Sequence, residues 1–121
     1  MKKERRLRDP RGFLPLTPRV FQVMLALAPK PLHGYAIIQE VSRLTEGVIT
    51  LRTGTLYLLL RRLRAQGLIE ESDDRPDPHL DDERRRYYRI TPLGRRVAQA
   101  EAARMRELVQ LASSKLGSQP A

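Results

Sequence analysis

Apolar side chains recur every three or four residues in several separate stretches of this chain, which is the spacing of an α-helix. The first stretch places Val20, Val23 and Leu27 on one face and follows Thr17-Pro18, a capping residue and a proline suited to the first helical position. Prolines stop the pattern soon afterwards. The sequence therefore predicts a first helix over residues 18 to 29.

A second helical pattern opens at His33-Gly34-Tyr35 and runs through Ile37 and Val41 to Thr45-Glu46-Gly47. The residues that follow, 48–51, form either an extended link or one small strand. Because no second histidine or cysteine lies near His33 in the sequence, we predict that His33 begins the second helix and has no catalytic role.

The third predicted helix is capped by Thr53 and ends before Gly67. If Leu56 is the centre of its buried face, Leu60 and Leu63 fall within about 40° of that centre at 100° per residue. The opposite side is small, apolar or basic, and Tyr57 and Arg64 lie on the flank; that side comprises Gly54, Thr55, Leu58, Arg61, Arg62 and Ala65.

Two short strands are predicted next, over residues 68–71 and 86–90, with a polar segment between them. Thr91-Pro92 repeats the cap-and-proline signal and begins a last helix that extends to about Lys115. Its apolar residues alternate steps of four and three, a spacing typical of helices that pair with another helix. This seam comprises Ala98, Ala102, Met105, Val109, Ala112 and Leu116, and Leu108 and Leu111 widen it. The predicted dimerisation residues are the seam and Leu108.

Three short helices followed by a hairpin is the order of a winged helix-turn-helix. The predicted fold is therefore mainly α with a small β-hairpin: a winged helix-turn-helix plus a long C-terminal helix. We expect a basic flexible arm at 1–12, a DNA-binding domain at 13–91, a dimerisation helix at 92–116 and a tail at 117–121.

The charge of the chain is unevenly distributed. The 121 residues include 23 Lys and Arg and 14 Asp and Glu, for a net charge of +9. Eight of the acids lie between Glu70 and Glu83, where only Arg75 offsets them, so this segment carries −7 and the rest carries +16. A chain this basic is expected to meet a polyanion, with the acidic segment pointing away from it.

The third helix is the predicted DNA-reading element, because residues 49–69 contain four arginines and no acid. Thr55 is able to donate or accept a hydrogen bond, Leu58 to contact a thymine methyl, and Arg61 or Arg62 to reach guanine or phosphate. A solvated helix face is the alternative interpretation. The predicted DNA-binding residues are Thr53, Gly54, Thr55, Tyr57, Leu58, Arg61 and Arg62, with Arg84, Arg85 and Arg86 in the wing.

Several function classes find no support in the sequence. It contains no cysteine, phosphate-binding glycine loop, nucleophile elbow or zinc-protease motif, so we predict no enzyme activity, no metal and no cofactor. No secretion signal is apparent, and the apolar stretches are too short to span a bilayer, so a soluble protein without a membrane partner is expected. An RNA-binding basic module and a protein-interaction dimer without DNA binding remain as alternatives.

The order of these motifs resembles the PadR family of transcriptional regulators. The similarity rests on His33-Gly34-Tyr35, on Thr55-Leu56-Tyr57 with the leucines that follow, and on Tyr87 to Arg95, and it covers roughly residues 14 to 115. Two positions differ from the family pattern. Leu58 stands where many members have proline, and acids at 81–83 precede the wing arginines.

The resemblance implies a cytoplasmic, homodimeric repressor that binds double-stranded DNA at an inverted repeat, with one C-terminal helix per subunit at the dimer contact. It implies that Tyr57 and its neighbours meet DNA, that Tyr35 packs at the start of the second helix, and that His33 lies near phosphate. Some relatives bind aromatic or drug-like effectors with help from tryptophan. This chain has no tryptophan, so an effector is left open.

Overall fold

The computed structural model describes residues 9–73 and 86–117, and four helices make up most of this part of the chain. Helix α1 spans Pro18–Leu27, α2 spans Gly34–Leu44, α3 spans Thr53–Ala65 and α4 spans Pro92–Leu116. Three strands accompany them: β1 at Leu32–His33, β2 at Ile69–Ser72 and β3 at Tyr87–Ile90. The predicted fold class, a winged helix-turn-helix with a long last helix, is confirmed.

Both threonine caps are confirmed. The N–H of Val20 donates to the hydroxyl of Thr17 at 3.3 Å, and the N–H of Gly94 donates to the hydroxyl of Thr91 at 3.0 Å. The prediction for the third helix was wrong in detail. Arg52 occupies its N-cap without a side-chain hydrogen bond, and Thr53 is the first helical residue. Helix α1 ends two residues earlier than the sequence predicted, before the prolines that follow it.

The hairpin is part of a three-stranded antiparallel sheet in the order β1-β3-β2. Leu32 pairs with Tyr88 on one side of β3, and Glu71 pairs with the same Tyr88 on the other side. The sequence missed β1, because two residues are too few to show a strand period and their partner strand is more than fifty residues away. Residues 48–51 are an extended link and not a strand.

One buried cluster joins the helices to the sheet. Each fully buried leucine or valine contributes roughly 1.5 to 3 kcal/mol to folding. The cluster contains Val23, Met24, Leu27, Ile37, Val41, Leu56, Leu60, Leu63, Leu68, Ile69 and Val97.

A hydrogen bond also joins α4 to the end of α1. The Arg95 guanidinium on α4 donates to the carbonyl of Ala28 at 2.8 Å, so it satisfies an acceptor at the end of α1.

The described segment before α1, residues 9–17, packs along α4 through its first turn. Pro10–Phe13 form a 3-10 turn in which the Asp9 carboxylate accepts the N–H of Arg11 at 3.0 Å. Residues 10–12 of the expected arm at 1–12 therefore belong to this turn, and residues 1–8 lie outside the described residues. Within residues 9–73 and 86–117, no helix is both long and apolar enough to cross a membrane.

Candidate nucleic-acid interface

Helix α3 divides into a buried leucine face and an exposed basic face. Leu56, Leu60 and Leu63 are at most 1% exposed, which confirms the predicted phase of the helix. Every residue that the sequence assigned to DNA on this helix is exposed, whereas Leu59 is half-buried. The exposed residues are Thr53, Gly54, Thr55, Tyr57, Leu58, Arg61 and Arg62.

The N-terminus of α3 lacks a side-chain cap. The carbonyl of Arg52 accepts the N–H of Leu56 at 2.9 Å, but no side chain accepts the amides of the first turn. Those N–H groups carry the positive end of the helix dipole, which favours a phosphate oxygen. Gly54 has open space where a Cβ would stand, so the backbone is accessible there.

The three arginines of α3 have different surroundings. The Arg64 guanidinium lies 3.1 Å from the carboxylate of Glu71 on β2. Arg61 and Arg62 form no ion pair with any residue in the described part of the chain. Their charges are therefore exposed on the face that the sequence assigned to DNA.

The wing meets α3 through the same carboxylate. Arg86 lies 3.3 Å from Glu71, and on the neighbouring rung Arg89 lies 2.8 Å from Glu70. The first two residues of the acidic segment, Glu70 and Glu71, thus pair with arginines, and the orientation of this segment relative to DNA stays a prediction. Arg84 and Arg85, and the acids from Asp74 to Glu83, lie outside the described residues.

Tyr88 lies beside this charged group and opposite Glu71. Burial raises the pKa of its phenol, and the neighbouring Tyr57 and Glu71 raise this pKa further, whereas Arg64 and Arg86 lower it. Tyr57 is 46% exposed, and its hydroxyl reaches back to Gly34 at the start of α2. The recognition helix, the wing and the start of α2 therefore meet at one place on the surface.

His33 is the N-cap of α2, as the sequence predicted. Its Nδ1 atom accepts the N–H of Ala36 at 3.2 Å, and its ring meets the edge of Tyr87 with centroids 5.4 Å apart. Tyr35 departs from the expectation that it packs in the core, because it is 62% exposed and its ring stacks on that of His33 with centroids 6.5 Å apart. Sequence reasoning missed Tyr35 as a surface residue, since an aromatic at a helix start is usually taken as core.

The second half of α4 extends away from the domain. In its first half, Gly94, Val97 and Glu101 are buried. At 100° per residue, five later apolar residues lie within about 60° of the direction of Gly94: Met105, Leu108, Val109, Ala112 and Leu116. These later residues are exposed, up to 83% at Leu116. Ala102 is half-buried, and Ala98 packs against the core of its own subunit.

Histidine and acidic side chains form no metal-binding cluster in the described part of the chain. Across residues 9–73 and 86–117, no three histidine, aspartate or glutamate side chains gather in a way that could hold an ion. The acids from Asp74 to Glu83 lie outside these ranges. The observable chemistry of the site is that of arginines, hydroxyls and backbone amides.

A basic recognition helix supported by a helix-turn-helix and flanked by a strand pair defines a winged-helix DNA-binding protein. The model of the Transcriptional regulator PadR-like family matches residues 23–100. This chain therefore belongs to the PadR-like family, whose members are transcriptional regulators and not enzymes.

Individual relatives agree with this assignment. The chain is 39% identical over 92 residues to the transcriptional regulator Rv3488 of Mycobacterium tuberculosis, spanning 76% of this chain and 77% of that protein. A PadR family transcriptional regulator of Eggerthella lenta is 29% identical with a TM-score of 0.62, over 98% of this chain and 94% of its own. One from Clostridium difficile, 24% identical, shares the fold with a TM-score of 0.66, over 84% and 100% of the two chains.

Proposed function

We propose that this chain is a homodimeric repressor that acts in the cytoplasm and binds an inverted-repeat DNA operator through α3. The observation that carries the proposal is the division of α3 into two faces. Three leucines fix one face in the core, and the exposed face carries no acid. It presents hydroxyls, a tyrosine and Arg61 and Arg62, which form no ion pair with any described residue. A groove-facing element needs this combination, because it meets both phosphates and base edges.

The contacts are assigned by position along the helix. Thr53, Gly54 and Thr55 stand at the uncapped N-terminus, where backbone amides are able to meet a phosphate. Tyr57, Leu58, Arg61 and Arg62 follow along the exposed face and are assigned to base edges and the flanking backbone. Arg86 immediately precedes β3, the return strand of the wing, and is assigned with Arg84 and Arg85 to backbone affinity.

Residues 13–91 are the proposed DNA-binding unit, and residues 92–116 are the proposed dimerisation helix. The exposed apolar seam of α4 supports this division, since it continues the face that the domain itself covers in the first half of the helix. A two-fold axis through paired α4 helices would present two α3 helices to DNA in opposite orientations. An inverted repeat is the site such a dimer reads, and a bound dimer would block a promoter that it overlaps.

The test is selection of bound duplexes from a random-sequence library, followed by gel shifts with excess nonspecific competitor. We expect the selection to enrich an inverted repeat, and we expect the protein not to bind RNA of the same sequence. Equal binding of the RNA would support an RNA-binding module instead. Failure to bind either nucleic acid would leave a protein-interaction dimer and contradict the proposal.

A further inference from the structure

Glu71 shares one carboxylate between two arginines that belong to different elements. Its Oε2 atom lies 3.1 Å from Arg64 on α3 and 3.3 Å from Arg86 at the start of β3. The side chains of all three residues are exposed, by 38% at Glu71, 45% at Arg64 and 62% at Arg86. Ion pairs this exposed are weak, so another anion is able to replace the carboxylate.

This shared carboxylate stands inside the candidate DNA interface. Glu71 lies opposite Tyr88 on β3, and the Tyr88 phenol is close to Tyr57, whose ring is on the exposed face of α3. Arg64 and Arg86 are therefore the two cations that connect the recognition helix to the wing on the surface assigned to DNA. A DNA phosphate offers them the same charge and acceptor geometry as a carboxylate.

We propose that Glu71 determines specificity by occupying, in the free protein, the place of a DNA phosphate between Arg64 and Arg86. This inference rests on the proposed function. Random DNA is held by backbone contacts alone, so a phosphate must displace Glu71 to recruit these two arginines. At the operator, base contacts from α3 hold the complex, and Glu71 keeps both arginines in place beside the duplex. Glu71 thus lowers affinity for random DNA more than affinity for the operator.

The experiment compares the DNA affinities of Glu71→Gln and the wild type. Each is measured on the selected duplex and on a random duplex of equal length, at the same salt concentration. We expect Glu71→Gln to raise affinity for random DNA about three- to ten-fold while operator affinity changes less than about two-fold. Glu70→Gln is the matched control, because it removes the same charge from the adjacent residue, which pairs with Arg89 at 2.8 Å. Glu70→Gln should change both affinities slightly and alike.

A second set of variants distinguishes displacement of Glu71 by a phosphate from a general effect of the protein's charge on DNA affinity. In an Arg64→Ala, Arg86→Ala background, the effect of Glu71→Gln should shrink to that of Glu70→Gln. Equal effects of the two glutamine variants in the wild-type background, or loss of operator binding by a folded Glu71→Gln protein, would overturn the inference while leaving the proposed function in place. A wild type that binds random DNA and every selected duplex equally would overturn both.

Discussion

The hydroxyl of Tyr57 on α3 lies against Gly34, the first residue of α2. A Cβ atom built on Gly34 would stand 2.6 Å from that oxygen and 3.1 Å from the adjacent ring carbon. A side chain at position 34 would therefore displace the Tyr57 hydroxyl, and the contact holds a tyrosine of the proposed reading helix against its supporting helix. Tyr57 is 46% exposed, so it has room to move outward.

Gly34→Ala should accordingly change DNA binding more than stability. Displacing an exposed tyrosine is inexpensive, and alanine is the better helix former by up to about 1 kcal/mol, so the free energy of unfolding should change by less than about 1 kcal/mol. Operator affinity should fall because Tyr57 is pushed out of position. Adding Tyr57→Phe removes the clashing oxygen. If the double variant binds no better than Gly34→Ala alone, the contact does not position Tyr57.

Gly94 contrasts with Gly34, because a methyl group there meets backbone. A Cβ at Gly94 would overlap the carbonyl oxygen of Leu68, the residue just before β2. Gly94→Ala should therefore lower the free energy of unfolding by roughly 3 kcal/mol, measured by urea denaturation. Gly54→Ala is the control, since it projects into open space and should stabilise α3 by about 0.5 to 1 kcal/mol. Similar losses in both variants would refute the packing argument.

Glu101 joins α4 to the segment before α1. Its carboxylate is 2% exposed, accepts the N–H of Leu16 at 2.9 Å and pairs with Arg104 at 2.5 Å. The hydrogen bonds from Arg104, followed by that from Leu16, lower the pKa of Glu101 below its usual value of 4.5, although burial opposes them. Because the folded-state pKa is depressed, the charged group stabilises the protein above about pH 4.5, and this contribution is lost as the pH falls through the folded pKa.

Glu101→Gln should thus destabilise the protein by about 1 to 3 kcal/mol at pH 7. The difference from the wild type should narrow as the pH is lowered from 5 towards 3, because the wild-type carboxyl then gains a proton too. Chemical denaturation across that pH range measures this difference in the free energy of unfolding. A difference that stays constant or widens on acidification would show that the charge of Glu101 is not what stabilises the junction.

The apolar seam of α4 gives a prediction about assembly. Met105→Glu combined with Val109→Glu should yield monomers by light scattering and abolish operator binding, since two charges per chain would have to be buried in the dimer. Ala103→Glu with Gln110→Glu is the matched control, because both positions are exposed and lie roughly 140° to 160° around the helix from Met105. A dimer that survives the first pair of substitutions would place the interface elsewhere.

Much of the scaffold could be predicted from local signals. Thr-Pro pairs mark the starts of α1 and α4, and the leucine spacing sets the phase of α3, because caps and periodicity depend only on neighbouring residues. Contacts between residues far apart in the sequence could not be predicted from such local signals. The pairing of Leu32 with Tyr88, the sharing of Glu71 by two arginines and the exposure of Tyr35 all depend on how the elements pack.

The substitution Arg61→Ala tests most directly whether the exposed face of α3 reads DNA sequence. Affinities should be measured by fluorescence anisotropy on the selected operator and on random DNA, with Arg96→Ala as a control that removes the same charge from an exposed position on α4. A base-reading arginine contributes roughly 1 to 3 kcal/mol of discrimination, so Arg61→Ala should weaken operator binding by that amount more than random binding. Arg96→Ala should leave the ratio of the two affinities unchanged. Equal losses on both DNAs for Arg61→Ala would contradict a sequence-reading role for that face.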